Sequence, residues 1–316
     1  MDEISVIESA ESGLRILTPT LQHIVIVLVS TLFSRGGARS REIEKLKNAT
    51  FNDIAKDLLK SGDLTHLEYY KCNNFLKIAE IADEIVRNSK SKEYNEDKFD
   101  FDWFMRFFDS VGDISNEDLH GLWGKILAGE TKARGACSLR TLSLLRNMNS
   151  DEAKLFQKLT PFVIVSGRAY FIFNEGFMEE GNAACHLIVN NNGLVYQDHI
   201  RLMIDCGLIT DDTVDIATHF NEPTPLHLHN SEIIAIIASK RPLKIPFVIG
   251  AYNLSSSGIE LFKILQNDPD FRPNADYTLA CLRHIRDTNP KITITAHKML
   301  YIDSDNQPQF DQNDLL

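Results

Sequence analysis

Four basic side chains in the middle of the chain form the group best suited to bind an anion. Residues 131–150 contain no acid, although the whole chain has a formal net charge of −11. A helix start offers free backbone N–H groups to a phosphate or carboxylate, and guanidinium groups strengthen such a site. We therefore predict an anion- or nucleic-acid-binding site at the helix that begins at Ser138. Its basic residues are Lys132, Arg134, Arg140 and Arg146.

The same bases have a second interpretation as ion-pair partners. Arg140 falls in the first turn of its predicted helix, where the helix dipole disfavours a cation unless a partner compensates. Acids on neighbouring helices, for example Asp109 or Asp113, would serve as such partners. The sequence leaves both interpretations open.

Two histidines in the C-terminal half have part of the pattern of a metal site. His227 and His229 stand two positions apart, so on a strand their side chains point to one face, and His219 is close in sequence. Metal sites take three or four ligands of suitable geometry. We interpret the pair as side chains of a polar loop or edge strand, and we predict neither a metal nor a cofactor.

No familiar catalytic motif occurs in the chain. The sequence has no G-x-x-x-x-G-K-[ST] phosphate loop, no G-x-S-x-G elbow and no H-E-x-x-H helix. Cys206 with His199 or His186 is the conceivable nucleophile pair. Because Cys206 borders an apolar turn, we interpret it as a small buried hydrophobe. No catalytic residue is predicted, and a non-enzymatic role is favoured.

Two pairs of carboxylates could serve in acid–base chemistry. Asp100 and Asp102 form one pair, and Glu117 and Asp118 form the other. Both pairs fall at predicted helix starts, where a negative charge is stabilised by the helix dipole. Stabilisation of the helix starts already accounts for these four carboxylates without a role in catalysis.

The elements that must position these side chains change in character near residue 160. Before it, apolar residues recur at helical spacing, as in Phe104, Phe107 and Phe108. After it, runs such as "FVIVSGRAYFIF" and "SEIIAIIASK" are typical of strands. We therefore predict an α+β fold, with an N-terminal helical module followed by a smaller mixed α/β domain that has a winged-helix-like order of elements.

The predicted domains follow from this change. The helical domain covers residues 38–160 and the α+β domain residues 161–302. An apolar N-terminal segment (1–37) precedes them. An acidic tail (303–316) follows and is predicted to be frayed, because termini without apolar anchors are poorly ordered.

Small residues mark the expected helix ends. Ser115, Ser138 and Ser150 are each followed by residues typical of a helix, so we predict that they are N-caps. Gly129 stands where a C-terminal glycine is expected, and Gly135 marks the following loop.

Residues 21–33, "LQHIVIVLVSTLF", are the most apolar stretch of the N-terminal segment. A membrane-spanning helix needs about 20 apolar residues, so this stretch is too short. We interpret it as a buried helix at a subunit or domain interface, with membrane association as the alternative. A buried interface helix favours a homo-oligomer or a complex with a partner protein. If the stretch instead associates with a membrane, the partner protein would be membrane-associated.

Composition and cysteine usage narrow the class of protein. The negative net charge argues against nonspecific wrapping of nucleic acid, so nucleic acid is a less favoured partner. The five cysteines form no C-x-x-C pair, and an odd number of them indicates a reducing compartment. The first dozen residues are acidic where a secretory signal is basic. Together these features predict a cytoplasmic location.

Two segments resemble a known family. They are "DWFMRFFDSVGDISNEDLHGLWGKILAGET" and "SLRTLSLLRNMNSDEAKLFQKL", within Phe101 to Leu159. They resemble an uncharacterised bacterial domain-of-unknown-function family with an L-W-x-K-I-L-A-G-E helix and an S-L-R-T-L helix. "MNSDEAKLF" is similar, more distantly, to the abortive-infection alpha proteins. "GLIT" and "LSSSGIEL" resemble a G-L-I … L-T-x-x-G-x-E-L pattern in such proteins, with Ser255 where threonine is commoner.

This resemblance implies a bacterial accessory protein. We expect an antiphage, abortive-infection-type defence component that acts through protein contacts and oligomerisation. The alternatives are a nucleic-acid-binding regulator with a winged-helix-like domain and an unrecognised effector enzyme. The resemblance implies no catalytic residue, and it identifies function only by analogy.

Overall fold

The computed structural model describes residues 51–88, 100–173, 197–218, 225–239, 241–243, 247–303 and 308–316. The chain divides after Ser150 into two compact units, which are described separately below. The apolar segment 21–33 lies outside the described residues. Among the helices that the structure does describe, none combines the length and apolar character needed to cross a membrane.

The N-terminal unit is helical, as the sequence predicted. Its helices are α1 (Phe51–Ser61), α2 (His66–Asn88), α3 (Phe101–Gly112), α4 (Glu117–Lys132) and α5 (Leu139–Arg146). The apolar stripe of α2 is buried against α3 and α4. The Phe75 ring lies 5.6 Å from Phe104 and 5.3 Å from Phe108. Trp123 of α4 is 1% exposed and packs edge-on against Phe107 at 5.5 Å.

Two helix ends differ from the predicted ones. Asn116, not Ser115, caps α4, because its side-chain oxygen accepts a hydrogen bond from the Asp118 N–H at 2.9 Å. Gly129 lies inside α4, which continues to Lys132. The residue in the left-handed conformation after this helix is Gly135, with φ of 75°. Ser138 caps α5 as predicted, accepting from the Thr141 N–H.

The C-terminal unit combines helices with one broad sheet. Helix α6 (Ser150–Leu159) begins at the division between the units and lies in the C-terminal unit from Asp151 onward. The remaining elements follow in chain order: a 3₁₀ helix (Thr160–Phe162), β1 (Ile164–Ser166), β2 (Ala169–Phe173), α7 (Gln197–Asp205), β3 (Ile209–Thr218), β4 (Leu226–His229), β5 (Ile233–Ser239), β6 (Phe247–Leu254), α8 (Ser256–Gln266), α9 (Ala275–Thr288), β7 (Ile292–Ile302) and β8 (Pro308–Phe310).

The strands form an antiparallel sheet in the order β3-β6-β2-β1-β4-β5-β7-β8. Strands that are distant in sequence are neighbours, as in the β2–β6 and β5–β7 pairs. The α+β prediction is confirmed. The sheet is much wider than the small wing of a winged-helix domain. The β1–β2 hairpin and β4 lie between β6 and β5 and so connect the two sides of the sheet.

The acidic C-terminal residues that the structure describes are docked, which contradicts the predicted frayed tail. The Leu315 N–H donates to the Ala296 carbonyl at 2.7 Å, and Arg283 donates to the Leu315 carbonyl at 3.1 Å. The Asp314 carboxylate accepts from the Ala296 N–H at 3.0 Å. The two bonds to Ala296 satisfy backbone groups of β7, which explains why a polar segment is held without a large apolar surface.

Candidate functional site

Residues 130–140, here called the signature loop, comprise the end of α4, the connection to α5 and the first two residues of α5 in the N-terminal unit. The Glu130 side chain is buried, and its carboxylate accepts hydrogen bonds from the Gly135 N–H at 2.8 Å and the Cys137 N–H at 3.2 Å. Two backbone donors just before α5, close to where the sequence predicted a bound anion, therefore already have an anionic partner within the chain.

The environment of Glu130 changes its ionisation. Burial raises the pKa of its carboxyl group above the ordinary value, and the nearby charge of Asp100 adds to this. The loop N–H groups act in the opposite direction, because they stabilise the ionised form. The net effect is that Glu130 holds its proton more strongly than an exposed glutamate does.

Helix α3 contacts the C-terminal part of the signature loop through the Trp103 side chain. The Trp103 indole Nε1 donates to the Cys137 carbonyl at 2.6 Å. The Asp100 carboxylate caps α3 by accepting from the Trp103 N–H at 2.9 Å. Trp103 also stacks on Phe107, with 5.1 Å between ring centroids. The D-W-F segment and the segment that begins at Ser138, far apart in the sequence, thus meet at this loop.

One of the four predicted bases follows the ion-pair interpretation. The Arg146 guanidinium lies 3.4 Å from the Asp113 carboxylate. The same carboxylate lies 3.5 Å from the Lys71 ammonium group. Asp113 was one of the two acids that the sequence suggested, and it joins α5 to α2.

The other three bases differ in exposure. Lys132 is half-buried, and burial lowers the pKa of its ammonium group. Arg134 is half-buried as well. Arg140 is exposed in the first turn of α5, and it forms no ion pair with the residues that the structure describes. Anion binding by this group stays a prediction.

The histidine pair lies on β4 in the C-terminal unit. His227 is exposed and His229 is half-buried. Burial lowers the pKa of His229, the neighbouring charge of His227 lowers it further, and the Asn230 backbone opposes both effects. Within the described part of the chain, no three residues of metal-binding type come together. His219 lies outside the described residues.

Cys206 is half-buried, not fully buried as the sequence analysis expected. Burial raises the pKa of its thiol, and the charges of Glu152 and Asp205 raise it further, so the reactive thiolate is disfavoured. The residue lies in the turn that ends α7, where Gly207 has φ of 73°. His186 lies outside the described residues.

The predicted carboxylate pairs lie at helix starts, as the sequence indicated. Asp100 caps α3 and Asp102 lies in its first turn. Glu117 and Asp118 lie in the first turn of α4. Their charges therefore face the positive ends of these helices.

The segments "GLIT" and "LSSSGIEL" contact each other directly, although 48 positions separate Gly207 from Ser255. The Ser255 hydroxyl donates to the Gly207 carbonyl at 2.6 Å and accepts from the Gly258 N–H at 3.1 Å. The Ser255 N–H donates to the Leu208 carbonyl at 2.9 Å. A Cβ atom at Gly258 would lie 2.1 Å from the Leu208 carbonyl oxygen, so only glycine fits here.

An apolar cleft of about 170 Å³, here called the β7 cleft, opens between the sheet and α8 in the C-terminal unit. Buried side chains form its floor, and half-buried or exposed ones form its rim. Its lining residues are Val163, Val165, His229, Asn230, Ser231, Phe262, Gln266, Phe271, Pro273, Met299, Leu300 and Tyr301.

The rim of this cleft exposes two large apolar side chains. Leu300 is 60% exposed and Tyr301 is 61% exposed. Strand β5 begins at Ile233, which pairs with Lys298, so β7 extends beyond β5 from Met299 onward and there pairs with β8. The sequence analysis missed this surface. The available signal was the run "MLYI", which breaks the apolar–polar alternation of a strand with one solvent-facing side.

Comparison with known families gives one match. The family model described as "Protein of unknown function (DUF2806)" matches residues 64–277, more than half of the chain. The matched range contains the signature loop and ends within α9, so Met299 to Tyr301 lie beyond it. No curated protein and no solved structure matches the chain.

Proposed function

The chain belongs to the family described as "Protein of unknown function (DUF2806)", and from this premise we propose that it is a bacterial antiphage defence component of the abortive-infection type. In this proposal the protein acts in the cytoplasm through contacts with other proteins and through self-assembly. The membership itself names no activity, so the proposal depends on features of this chain.

The observation that carries the proposal is the contact between "GLIT" and "LSSSGIEL". These are the two pieces that resemble the pattern of abortive-infection alpha proteins. Ser255 and Gly258 bond or closely approach Gly207 and Leu208, so the pattern corresponds to one physical junction. Two segments that matched the pattern only by chance would not be expected to contact each other in the fold. Their contact therefore supports the relation to the abortive-infection alpha proteins.

A role in protein contacts has separate support. Leu300 and Tyr301 are each about three-fifths exposed beside an apolar cleft. Grouped exposed apolar side chains on a soluble protein mark interaction surfaces more often than isolated ones do. The apolar stretch 21–33 supports self-assembly at the level of sequence.

A plating assay tests the defence role. A bacterial host that expresses the chain is challenged with a panel of unrelated phages, beside a host that expresses Gly258→Ala. We expect the native chain to lower the plating efficiency of at least one phage and the variant to lower it less. Gly121→Ala serves as the control, since an added Cβ there meets nothing within 4 Å. Normal plating of every phage on cells that contain the folded native chain would contradict the proposal.

Anion or nucleic-acid binding at the signature loop is the second candidate. It is favoured by the exposed Arg140 guanidinium in the first turn of α5, a few positions after the half-buried Lys132 and Arg134 in the sequence. Binding to single-stranded DNA, duplex DNA and RNA is measured over a salt series, with Arg140→Gln as the variant. We expect affinity that falls with salt and is lower in the variant. An absence of binding at low salt would remove this candidate.

A further inference from the structure

We infer that a second copy of this chain covers the β7 cleft, with Tyr301 of each copy entering the cleft of the other. The inference rests on the proposed function, because it names a surface through which the proposed self-assembly takes place. Four properties of the cleft and its rim support it.

The size of the cleft matches one aromatic side chain. Its volume is about 170 Å³, and an apolar cavity of about 150 Å³ is known to hold a benzene molecule. Val163, Phe262 and Pro273 form a buried apolar floor. The ring of a tyrosine would therefore replace water against apolar walls, which is the favourable arrangement for an interface anchor.

The polar side chains at the mouth of the cleft can hydrogen-bond to the hydroxyl group of an inserted tyrosine. Asn230 is already committed, since its side-chain oxygen accepts from the Glu232 and Ile233 N–H groups at 2.8 and 2.7 Å. Gln266 and Ser231 are exposed at the rim, and His229 is half-buried. Because burial lowers the pKa of His229, its imidazole is neutral near pH 7 and can accept a hydrogen bond from a tyrosine hydroxyl.

Tyr301 belongs to the rim of the cleft itself. His229 pairs with Val165 on one side and with Ile234 on the other, and Ile234 pairs with His297. Side chains two positions apart on a regular strand share a face, so Met299 lies on this side. The register of β7 shifts between Met299 and Tyr301, and both residues line the cleft, so Tyr301 stands at its rim. A protruding ring beside a cavity is self-complementary about a two-fold axis, which is the commonest symmetry of homodimers.

The charge distribution also favours a second copy at this surface. None of the twelve lining residues is Asp, Glu, Lys or Arg, although the chain has 33 basic and 44 acidic residues. Two chains of net charge −11 repel each other over most of their surface. A cleft lining without charged side chains allows closer approach there, and the cores of interfaces are depleted in charged side chains.

The test uses a pair of variants of the full chain that damage opposite halves of the contact. Tyr301→Ser removes the inserted ring, and Gln266→Trp places a large side chain at the mouth of the cleft. Sedimentation equilibrium gives the dissociation constant of each chain. We expect the native chain to dimerise and each variant to weaken the dimer by at least about tenfold. Val248→Ser is the matched control, since Val248 is 42% exposed on β6 of the same sheet.

Mixing the two variants gives the sharper readout. The Tyr301→Ser chain keeps an open cleft and the Gln266→Trp chain keeps its tyrosine, so a mixed pair can form one of the two contacts. We expect mixed dimers that are tighter than either variant alone. Circular dichroism melting curves like that of the native chain verify that both variants are folded.

The outcomes separate this inference from the proposed function. If the native chain dimerises and neither variant changes the dissociation constant, this surface is the wrong one, and self-assembly still stands. If the native chain is monomeric at every concentration, both the inference and the self-assembly part of the proposal fail, while plating still tests the defence role. If phenol, used as a probe, saturates the Met299 methyl signal in a monomeric chain, the cleft is a small-molecule site and the inference is overturned.

Discussion

The signature loop and the β7 cleft differ in what their side chains contact. In the loop, the chemically distinctive groups bond within the chain: the Glu130 carboxylate to loop N–H groups, and the Trp103 indole to the Cys137 carbonyl. In the cleft, ordinary apolar side chains such as Leu300 and Tyr301 remain exposed to solvent.

This difference shows why residue type alone is a poor guide to function in this protein. Glutamate and tryptophan attract attention as chemical groups, yet Glu130 and Trp103 form hydrogen bonds within the chain that tie α4 and α3 to the loop. The exposed rim of the β7 cleft, by contrast, presents the large apolar side chains of Leu300 and Tyr301. The predictions below test whether the loop serves folding and the cleft serves contact, in order of decreasing expected effect.

Replacing Trp123 with alanine is expected to have the largest effect on folding. The side chain is 1% exposed and packs against Phe107, so its loss leaves a cavity and costs ~3–5 kcal/mol of unfolding free energy. Urea unfolding followed by circular dichroism measures this. Leu139→Ala, at a position 37% exposed in the same part of the chain, is the control and should change the midpoint little. An unchanged midpoint for the Trp123 variant would show that the helical core is not built as described.

Gly258→Ala is expected to destabilise the C-terminal unit by about 1–3 kcal/mol. The added Cβ would lie 2.1 Å from the Leu208 carbonyl oxygen, which is backbone and cannot move aside easily. Gly121→Ala is the matched control: its Cβ meets nothing within 4 Å, and alanine in a helix interior is favoured over glycine by about 1 kcal/mol. Thermal unfolding should shift in opposite directions for the two variants. An unfolding temperature of Gly258→Ala equal to or above that of the native chain would mean that the junction tolerates a side chain.

Glu130→Ala is expected to cost about 1–2 kcal/mol, because the Gly135 and Cys137 N–H groups lose their acceptor. The cost should depend on pH. The folded-state pKa of Glu130 is raised above 4.5, so ionisation is less favourable in the folded than in the unfolded chain. The contribution of Glu130 to stability therefore falls as the pH rises from 4.5 through the folded pKa.

Urea unfolding of the native chain and the Glu130 variant over a pH series measures this dependence. The difference between the two should be largest below pH 4.5, the ordinary value, and smaller near neutrality. A difference that grows as the pH rises would show that the loop N–H groups outweigh burial, which is the opposite balance. Glu117→Ala, an exposed acid at the start of α4, controls for general charge effects.

Arg146→Ala is expected to have the smallest effect, below about 1 kcal/mol, because its ion pair with Asp113 is half exposed. The effect should shrink further in high salt, since salt screens exposed charges. Chemical unfolding by urea at low and high sodium chloride measures it. A large, salt-independent loss would indicate that Arg146 has a structural role beyond this pair.

The parts of the fold that depend on near neighbours in sequence were predictable. The Ser138 cap and the acidic first turns of α3 and α4 follow from interactions among residues a few positions apart. The prediction that Gly129 ends α4 was wrong, because the buried Glu130 is held by loop groups beyond it and the helix continues. Local helix-end rules do not contain that contact.

The parts that depend on distant partners could not be predicted from local patterns. The docked C-terminal residues bond to Ala296 and Arg283, and nothing in an acidic tail indicates such partners. The β7 cleft brings together β1, β7 and α8, whose order in the sheet is not evident from the sequence. The signature residues were visible, but their roles became clear only once their bonding partners were known.

The most direct test of the central claim compares self-association in chains altered in the two regions. Sedimentation equilibrium is performed on the native chain, on Tyr301→Ser and on Arg140→Ser, each at the same salt concentration. The account predicts that Tyr301→Ser raises the dissociation constant by at least about tenfold, while Arg140→Ser leaves it unchanged. An effect of Arg140→Ser without an effect of Tyr301→Ser would contradict it, because the signature loop would then be the contact surface.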